Sequence, residues 1–587
     1  MKGSWNASNI IHSSFSCLFL FLFNFRDVCA APTRYSCRSE QRDALLEFKN
    51  EFEIGELSFY CISGYPKTES WANSSDCCRW EGITCDVKSG EVVELDLSCS
   101  GLHGRFRSNS SLFRLQNLHF LDLSLNDLSG HIPSSVGNLS HLTTLHLSDN
   151  HFSGQIPSSI GNLSQLTYLH FFTNNFMGEI PSSFGNLNRL IRLSMFSNKL
   201  YGNFPSALLK MTRLSTLILS SNKFTGTLPP NITSLSNLAF FDASDNALSG
   251  TLPSSLFTIP SLTSIDLSDN QLEGTLEFGN TSSQPNLQAL RIGGNNFIGP
   301  IPSSISKLTN LEELDLSSFN TQGPVEFSIF SHLKALQTLG LSHLNTTATI
   351  DLNDFLSCFK RLSYLDLSGN HVSAANKSSV PWRSLVYMDL SQCGINGFFP
   401  ELLKTQKRLR NLDISNNKIK GQVPGWLWML PNLENLELSN NTFTGFERPP
   451  KHIRMSSPLE VLNVESNRIN DTFPFWLSSL QSLQVLVLGS NSFHGPIHHQ
   501  VSFPKLRIID ISRNHFNGSL PTSYFAKWSE IHVLNLSNNG FTGHMPSSLG
   551  NMTALESLDV SRNKLSGEIP QELGNLSFLA YMNFSHN

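Results

Sequence analysis

The side chains that could carry out covalent or metal chemistry in this 587-residue chain are 19 histidines, 10 cysteines and many serines. A serine nucleophile often stands in Gly-x-Ser-x-Gly and a zinc protease carries His-Glu-x-x-His, but neither motif occurs. Gly293-Gly294 is a turn variant rather than a phosphate loop, and His498-His499 has no carboxylate or cysteine at ligand spacing. We therefore predict no enzymatic activity, no catalytic residue, no cofactor and no metal site.

Six cysteines cluster before residue 100: Cys37, Cys61, Cys77, Cys78, Cys85 and Cys99. No histidine stands at ligand spacing among them, so disulfides in an oxidising compartment are favoured over a metal site. Their connectivity does not follow from the count. Residues 40–49 have the pattern of an amphipathic helix with Ala44, Leu45 and Phe48 on one face. We predict that residues 31–92 form a cysteine-rich cap.

The elements that position the other side chains are set by a repeat of 24 residues, marked by asparagines at equal steps: Asn126, Asn150, Asn174, Asn198, Asn222, Asn246 and Asn270. Residues 118–133 read Leu-x-x-Leu-x-Leu-Ser-x-Asn-x-Leu-x-Gly-x-Ile-Pro, which matches the plant type of leucine-rich repeat. One repeat cannot bury its own leucines, so repeats must stack. The predicted fold is an α/β repeat solenoid, a leucine-rich-repeat horseshoe with an inner parallel β-sheet, comprising about 21 repeats over residues 93–587.

Within a repeat, Leu-x-x-Leu-x-Leu predicts a short strand whose leucines point inward and whose x residues face the concave side. The asparagine amide donates and accepts, so a buried column of asparagines can satisfy backbone groups in the turns. Phe319 and Leu344, which stand at equivalent places, cannot do so; Ser100 and Cys393 stand at two more. We expect looser or bent coils in the degenerate residues 318–393, and an inner sheet on the order of 100 Å long.

Concave x positions on the first coils carry aromatic, histidine and arginine side chains. Aromatic residues and arginine are the side chains that most often anchor an interface. We predict a ligand-binding surface formed by His119, Phe120, His146, Tyr168, His170, Phe172, Arg192, Phe196 and Phe240. Alternatively, these aromatics pack against each other, or Phe172 and Phe196 lean into the core. Tyr364 and Tyr387, on neighbouring coils, form a second candidate.

The N-terminus has the pattern of a signal peptide at residues 1–30. Lys2 precedes an apolar stretch at residues 15–25, and Val28-Cys29-Ala30 offers small residues for cleavage. A membrane anchor is the alternative, but about 11 apolar residues are too few to span a bilayer. Net charge is 41 − 46 = −5 without a basic block, which argues against a nucleic-acid partner.

Secretion would expose Asn-x-Ser/Thr acceptors to glycosylation. The candidates are Asn73, Asn109, Asn138, Asn162, Asn231, Asn345, Asn470, Asn517 and Asn575. Some of these acceptors belong to the repeat motif itself, Gly-Asn-Leu-Ser, and therefore arise from the repeat alone. Asn535 and Asn583 lie within strand motifs, where a sugar would sit on the concave face, and we do not count them among the candidates.

The cap motifs are Cys37-x-x-x-Gln41-x-x-Ala44-Leu45-Leu46-x-Phe48-Lys49 and Asp76-Cys77-Cys78-x-Trp80-x-Gly82-Ile83-x-Cys85. With the repeats that follow, they resemble the plant leucine-rich-repeat receptor-like proteins. The resemblance implies disulfides Cys37–Cys77 and Cys78–Cys85, and leaves Cys61 and Cys99 as a guessed third pair. It also implies a cell-surface receptor without a kinase, which signals in defence or development through a partner receptor kinase.

Two features depart from that family. Trp528 leads directly into the next strand motif, so the usual non-repeat island is missing, and no C-terminal cap or membrane helix follows Asn587. These departures suggest that the chain is a truncated product or a fragment. We expect membrane attachment only through a segment that is absent from this sequence. The main hypothesis is an extracellular receptor region that binds a protein, peptide or glycan. Alternatives are a soluble apoplastic binder, such as a decoy or hydrolase inhibitor, and a nonfunctional remnant.

Overall fold

The structure is a computed structural model that describes residues 36–62, 64–279, 286–374, 385–448, 457–497, 503–520, 528 and 530–587. The predicted signal peptide and the His498-His499 pair lie outside the described residues. Within them, no helix is long and apolar enough to cross a membrane.

The inner face of the molecule is a parallel β-sheet that takes one strand from each coil. Its first strand pairs with an antiparallel strand of the cap, Ile83–Cys85. The parallel strands are Val92–Asp96, Phe120–Asp122, Thr144–His146, Tyr168–His170, Arg192–Ser194, Thr216–Ile218, Phe240–Asp242, Ser264–Asp266, Ala289–Arg291, Glu313–Asp315, Thr338–Gly340, Tyr364–Asp366, Tyr387–Asp389, Asn411–Asp413, Asn435–Glu437, Val461–Asn463, Val485–Val487, Ile508–Asp510, Val533–Asn535, Ser557–Asp559 and Tyr581–Asn583. The described residues therefore form a leucine-rich-repeat horseshoe, as the repeat period predicted.

The leucines of the repeat hold the coils together. Leu121, Leu145 and Leu169 lie in register on adjacent strands, and at most 2% of each is exposed. Burying a leucine side chain contributes about 1.5–3 kcal/mol, so the continuous core depends on every coil having a neighbour. The residues on either side of each leucine consequently point to the concave face.

The asparagines form the predicted hydrogen-bonded column. Asn150 Nδ2 donates to the Leu123 carbonyl of the preceding coil at 2.9 Å and to the Ser148 carbonyl of its own turn at 3.0 Å. Its Oδ1 accepts from the Leu128 amide at 2.9 Å. Asp149, just before it, has a left-handed backbone with φ of 53°. The amide thus satisfies backbone groups that this tight turn removes from the sheet.

In the degenerate residues 318–393, where we expect looser or bent coils, the structure retains the inner sheet. It runs through this region in unbroken register, from Leu339 to Leu365 to Met388. Cys393 donates its thiol to the Leu367 carbonyl at 3.2 Å, which replaces one asparagine bond. Phe319 is buried and stacks on Phe297. Apolar packing therefore keeps the strands aligned where the asparagines are missing.

A second set of strands follows the turns, and this layer is the one that is interrupted. Ten strands form its first sheet: Glu53–Ile54, Leu102–Arg105, Asp127–Gly130, His151–Gly154, Asn175–Gly178, Lys199–Asn203, Lys223–Gly226, Ala247–Thr251, Gln271–Gly274 and Asn296–Phe297. Three shorter sheets follow: Thr349–Asp351 with His371–Ser373; Asn396–Gly397, Lys418–Val423 and Thr442–Phe446; and His494–Pro496, His515–Ser519, Gly540–His544 and Lys564–Ser566. The first break coincides with the degenerate repeats.

Short helices complete the coils. The α-helices are Ser39–Lys49 and Leu352–Ser357. The 3₁₀-helices are Lys67–Ser70, Cys77–Arg79, Ser111–Arg114, Ser134–Asn138, Ser158–Asn162, Ser182–Asn186, Ser206–Lys210, Ile232–Ser234, Ser254–Thr258, Ser303–Lys307, Phe327–His332, Glu401–Thr405, Gly425–Met429, Phe475–Ser479, Ser547–Asn551 and Gln571–Asn575. Most of the 3₁₀-helices begin directly after a proline, as Ser134–Asn138 follows Pro133. The proline is extended and precedes the helix, where its missing N–H removes no helical hydrogen bond.

The cap closes the first coil. Its helix Ser39–Lys49 buries Ala44, Leu45 and Phe48, the face predicted from the sequence. The structure contains the disulfides Cys37–Cys77 and Cys78–Cys85, which the family resemblance implied, and also Cys61–Cys99. The third disulfide ties the cap to the turn of the first coil.

Candidate functional site

The concave face presents two columns of side chains from each three-residue strand. In the first column, Phe120, Thr144, Tyr168 and Arg192 are register partners on successive strands. Neighbouring strands lie about 4.8 Å apart, so side chains in one column touch or nearly touch. A third outward position follows the third leucine of each repeat, Leu123 in the first of these coils. Serine occupies it in many coils, as at Ser124, whereas phenylalanine occupies it in two successive coils.

Four predicted residues, His146, His170, Phe172 and Phe196, form one contiguous group, which we call the ring cluster. The Phe172 and Phe196 rings stack with centroids 4.6 Å apart and planes 7° apart. The His146 and His170 rings meet edge to face at 4.6 Å, and both contact Phe172. All four side chains are half-buried rather than fully buried. The inward-facing neighbours Phe171 and Met195 supply the core packing, so the ring cluster remains open to solvent.

The remaining predicted residues surround the ring cluster unevenly. Tyr168, which is 40% exposed, and Arg192 lie beside it in the first column. Phe120 is half-buried two strands before Tyr168. His119 is exposed, and its ring lies 6.2 Å from the ring of His141. Phe240 lies two strands beyond Arg192, so the structure does not bring it to the ring cluster.

One carboxylate, that of Asp122, contacts the ring cluster. His146 Nδ1 lies 3.0 Å from Asp122 Oδ2, and Asp122 Oδ1 accepts from the Ser124 amide at 2.8 Å. Burial alone would raise the pKa of Asp122, but the hydrogen bonds and charge of His146, with the Ser124 bonds, lower it overall. Asp122 therefore stays ionised and offers His146 a fixed partner.

The neighbouring imidazole remains neutral. Burial, followed by the positive charges of His146 and Arg192, lowers the pKa of His170 to about 4. Above that pH the ring cluster presents two phenyl rings and an uncharged imidazole, with the Arg192 guanidinium at its edge. Such a surface can bind planar or apolar groups by stacking.

The second candidate is a stack of two tyrosines further along the sheet. The Tyr364 and Tyr387 rings are parallel at 4.2 Å, and they adjoin a column of acidic residues in the second concave position. That column is Asp366, Asp389, Asp413 and Glu437. These carboxylates are not among the predicted site residues, although their spacing of one repeat is visible in the sequence.

Burial changes the ionisation of this second group. It raises the pKa of Asp389 and Asp413, despite hydrogen bonds to each carboxylate that act in the opposite direction. For Glu437, burial outweighs the hydrogen bond from Asn463 and, with the charge of Asp413, raises the pKa to about 7. Burial also raises the pKa of Tyr364 and Tyr387. The acidic column therefore loses part of its charge near neutral pH.

The cysteine cluster offers no ligand set. Among the described residues, the one close group of three histidine, cysteine or acidic side chains is Cys37, Cys77 and Cys78, and all three are in disulfides.

The nine predicted glycosylation acceptors are exposed, whereas Asn535 and Asn583 are half-buried on the concave face.

Family models match most of the chain. The leucine-rich repeat N-terminal domain matches residues 38–86, and a leucine-rich repeat region matches residues 92–381. The leucine rich repeat matches residues 383–443, 457–516 and 504–565. These matches follow the division into cap and coils seen in the structure.

Among curated proteins, the chain is similar to receptor-like protein 33 of Arabidopsis thaliana, with 72% identity over 434 residues. The match covers 69% of this chain and 49% of that relative. Receptor-like protein 35 of the same plant is 65% identical over 147 residues, which are 24% of this chain and 16% of the relative. The matched regions thus span about half or less of these relatives.

Two solved structures share the fold over most of the chain. The ectodomain of the Arabidopsis receptor kinase HAESA, in complex with an extended IDA peptide hormone, has a TM-score of 0.62 and 31% identity, and the match covers 92% of each chain. The ectodomain of GASSHO1/SCHENGEN3, in complex with CASPARIAN STRIP INTEGRITY FACTOR 2, has a TM-score of 0.67 and 32% identity, and covers 92% of this chain and 62% of that one.

Proposed function

This chain belongs to the plant leucine-rich-repeat receptor-like proteins, and we propose that it is the extracellular ligand-recognition region of such a receptor. The ligand is an extracellular peptide, and its principal contact is the ring cluster together with Tyr168 and Arg192. The protein acts at the cell surface, in defence or developmental signalling.

The ring cluster is the observation that supports this proposal. Folding does not require phenylalanine at the position after the third leucine of the repeat, because this position lies on the concave side and serine occupies it in most coils. Two successive phenylalanines there leave apolar surface in solvent instead of burying it. Half-buried aromatic side chains with an arginine at the edge are the usual anchors of a binding interface.

Desolvation of this surface costs little, which also favours ligand binding. His170 is neutral above about pH 4, and the His146–Asp122 pair is already formed before a ligand arrives. A ligand that covers these rings therefore does not have to strip water from an isolated charge. An aromatic or aliphatic side chain of a peptide would gain stacking and burial at the same place.

The solved relatives favour a peptide over other ligands and suggest how the signal passes on. HAESA is also solved in complex with the peptide hormone IDA and the co-receptor SERK1. That structure has 29% sequence identity and a TM-score of 0.55, and the match covers 93% of this chain and 94% of that one. By analogy, we propose that peptide binding here brings in a partner receptor kinase. The kinase activity is then supplied by the partner and not by the described coils.

The proposal is tested by replacing the phenylalanine stack. A double variant, Phe172→Ala with Phe196→Ala, removes the stacked rings but leaves the core residues Phe171 and Met195 in place. The probe is a panel of synthetic plant peptide hormones that includes IDA and CASPARIAN STRIP INTEGRITY FACTOR 2, with affinity measured by calorimetry. For any peptide that binds the unaltered chain, we expect at least about 30-fold weaker binding, the loss of about 2 kcal/mol typical of an anchor residue.

The matched control is the other aromatic stack on the same face. Tyr364→Ala with Tyr387→Ala removes two stacked rings of similar size, and we expect the peptide affinity to stay within about twofold. Unchanged affinity in the Phe172 and Phe196 variant, with native circular dichroism, would reject the ring cluster as the binding site. Loss of affinity in the tyrosine variant alone would place the ligand site at the tyrosine stack and the adjoining acidic column instead.

A further inference from the structure

A run of positive charge adjoins the ring cluster. Between Glu179 and Asp242 the sequence contains no acidic residue, but it contains six basic ones: Arg189, Arg192, Lys199, Lys210, Arg213 and Lys223. All six side chains are exposed. This segment therefore has a local net charge of 6 − 0 = +6, whereas the whole chain has a net charge of −5.

Five of these cations lie around the inner sheet on two adjacent coils. Arg189 and Arg213 each stand three residues before an inner strand, and Arg192 is the first residue of such a strand. Lys199 and Lys223 each begin the second-sheet strand of the same coils. Both edges of the inner sheet thus carry positive charge, with Arg192 on the concave face between them. We call these five residues the basic rim.

The basic rim is not neutralised within the protein. None of its five side chains forms an ion pair with any residue that the structure describes. Elsewhere along the inner sheet, arginines do pair with acidic residues of adjacent coils, as Arg291 does with Asp266 and Arg410 does with Glu434. Like charges repel across neighbouring strands about 4.8 Å apart, a distance shorter than the roughly 8 Å over which physiological salt screens charge. The basic rim therefore weakens the folded state, and a negatively charged partner would relieve that repulsion.

The basic rim meets the ring cluster at Arg192. This residue is the register partner of Tyr168, and Phe196 follows it on the same coil. Burial, followed by the positive charges of His146 and Arg192, lowers the pKa of His170. Arg192 is thus close enough to act electrostatically on the ring cluster while its own charge has no partner.

The coils on the other side of the ring cluster have the opposite character. No lysine or arginine stands between Arg114 and Arg189, and four acidic residues occur in the same interval. A ligand that lies across the coils therefore meets positive charge at one end of the ring cluster only.

We propose that the peptide bound by the ring cluster is acidic, with an aromatic or aliphatic side chain on Phe172 and Phe196 and carboxylates on the basic rim. This inference rests on the proposed ligand site, and it adds the charge and the direction of the ligand. Arginine binds a carboxylate through two parallel hydrogen bonds, so Arg192 and Arg213 give geometric specificity as well as attraction. Attraction of opposite charges also accelerates the encounter with the ligand.

The spacing of the coils limits where the acidic residues stand in the peptide. Neighbouring inner strands are about 4.8 Å apart, and an extended peptide advances about 3.3 Å per residue. Arg213 lies two coils beyond Phe172, which is about 10 Å and corresponds to about three residues of an extended chain. The acidic residues therefore stand within about three positions of the apolar anchor.

Synthetic peptides of one length test the charge of the ligand. The acidic probe has a central pair of phenylalanines with glutamates on both sides, and the neutral probe carries glutamines in place of the glutamates. Binding to the unaltered chain is measured by calorimetry at low and at physiological salt. We expect the acidic probe to bind at least about tenfold more tightly than the neutral one, and its affinity to fall as salt is added.

A double variant, Arg213→Gln with Lys223→Gln, locates the effect on the basic rim. These residues lie outside the ring cluster, and circular dichroism should remain native because both side chains are exposed. We expect the acidic probe to bind about tenfold more weakly, and the neutral probe to stay within about twofold. The matched control is Arg408→Gln with Lys418→Gln, two exposed residues at the same repeat positions of another coil. It should bind both probes as the unaltered chain does.

Equal binding of the two probes, or no binding of either, would overturn the acidic ligand. If both bind equally but lose affinity when Phe172 and Phe196 are replaced by alanine, the ring cluster remains the ligand site and only its charge preference is rejected. If the acidic probe loses affinity in the Arg213 and Lys223 variant but not in the phenylalanine variant, the proposed ligand site itself is rejected. Binding of oligogalacturonate, an acidic polysaccharide, in place of either probe would assign the basic rim to a glycan and would also overturn the proposal.

Discussion

At the residue scale, the concave face is informative because the fold leaves its outward positions free. Where an aspartate precedes serine by two residues, the serine amide satisfies the carboxylate, as Ser124 does for Asp122. Phe172 and Phe196 stand at the serine position without such a role, and they stack on each other instead. The deviation from the common pattern is therefore the residue-scale support for the proposed ligand site.

His170 provides a test of the electrostatics of the ring cluster. Its pKa in the folded chain, about 4, lies below the ordinary value of 6.5. Between these two pH values the unfolded chain takes up a proton that the folded chain excludes, so stability must fall as pH falls through this window. We expect the decrease in Tm from pH 6.5 to 4 to be smaller in His170→Phe, which keeps a ring against His146 and Phe172.

His131→Phe serves as the control for this pH experiment, because it replaces an exposed histidine outside the ring cluster. Its Tm should follow that of the unaltered chain throughout the window. The same pH profile for His170→Phe and the unaltered chain would show that His170 is not kept neutral by its surroundings.

The repeat predicts which side chains face outward, but it does not predict which of them come into contact. Counting positions was enough to place Tyr168 and Arg192 outward on adjacent strands. The position of Phe240 is also outward, but its distance from the ring cluster depends on the strands between them.

At the element scale, the asparagine column and the leucine core have separable roles. Asn126 bonds Leu97 and Ser124 carbonyls through Nδ2, and its Oδ1 accepts from the Ser100 and Leu102 amides. Yet the inner sheet continues through Phe319 and Leu344, which make no such bonds. Strand pairing is therefore set by the leucines, and the asparagine column adds stability to the turns.

Removing one member of the column tests this division. Asn126→Ala removes five hydrogen bonds to backbone groups, so we expect a loss of about 3 kcal/mol in the free energy of unfolding. Asn188→Ala, at an exposed position outside the column, should change it by less than about 0.5 kcal/mol. Urea unfolding followed by circular dichroism measures both. Equal stability of the two variants would contradict a structural role for the column.

The degenerate repeats show which part of an element can be read from sequence. The first break in the second sheet coincides with the loss of Gly-x-Ile-Pro, because the strands of that sheet contain the glycine of this motif. The inner sheet continues through the same repeats, because Leu339, Leu365 and Met388 preserve the apolar period. Each layer must therefore be predicted from its own residues.

At the scale of the whole molecule, the horseshoe separates a binding face from surfaces open to sugars. The nine candidate acceptors are exposed on the turns, the short helices and the second strands. Asn535 and Asn583 instead lie on the concave face, where their amides donate to Asp510 at 2.7 Å and Asp559 at 3.2 Å. A concave face free of sugar is needed if it binds a ligand.

Glycopeptide mass spectrometry of the secreted chain tests this arrangement. We expect sugar at exposed acceptors such as Asn138 and Asn162, because nothing covers them. No sugar is expected at Asn535 or Asn583, whose side chains are half-buried and hydrogen-bonded. Sugar at Asn535 would mean that the concave face is accessible to large modifications and is not reserved for a ligand.

Site-specific photo-crosslinking tests the central claim most directly. A photoreactive phenylalanine analogue is placed at Tyr168, beside the ring cluster, and in a separate protein at Tyr364, in the second aromatic stack. With a bound synthetic peptide from the panel, we predict that the Tyr168 protein crosslinks to the peptide and that the Tyr364 protein does not. Crosslinking from Tyr364 with none from Tyr168 would contradict the assignment of the ring cluster as the ligand site.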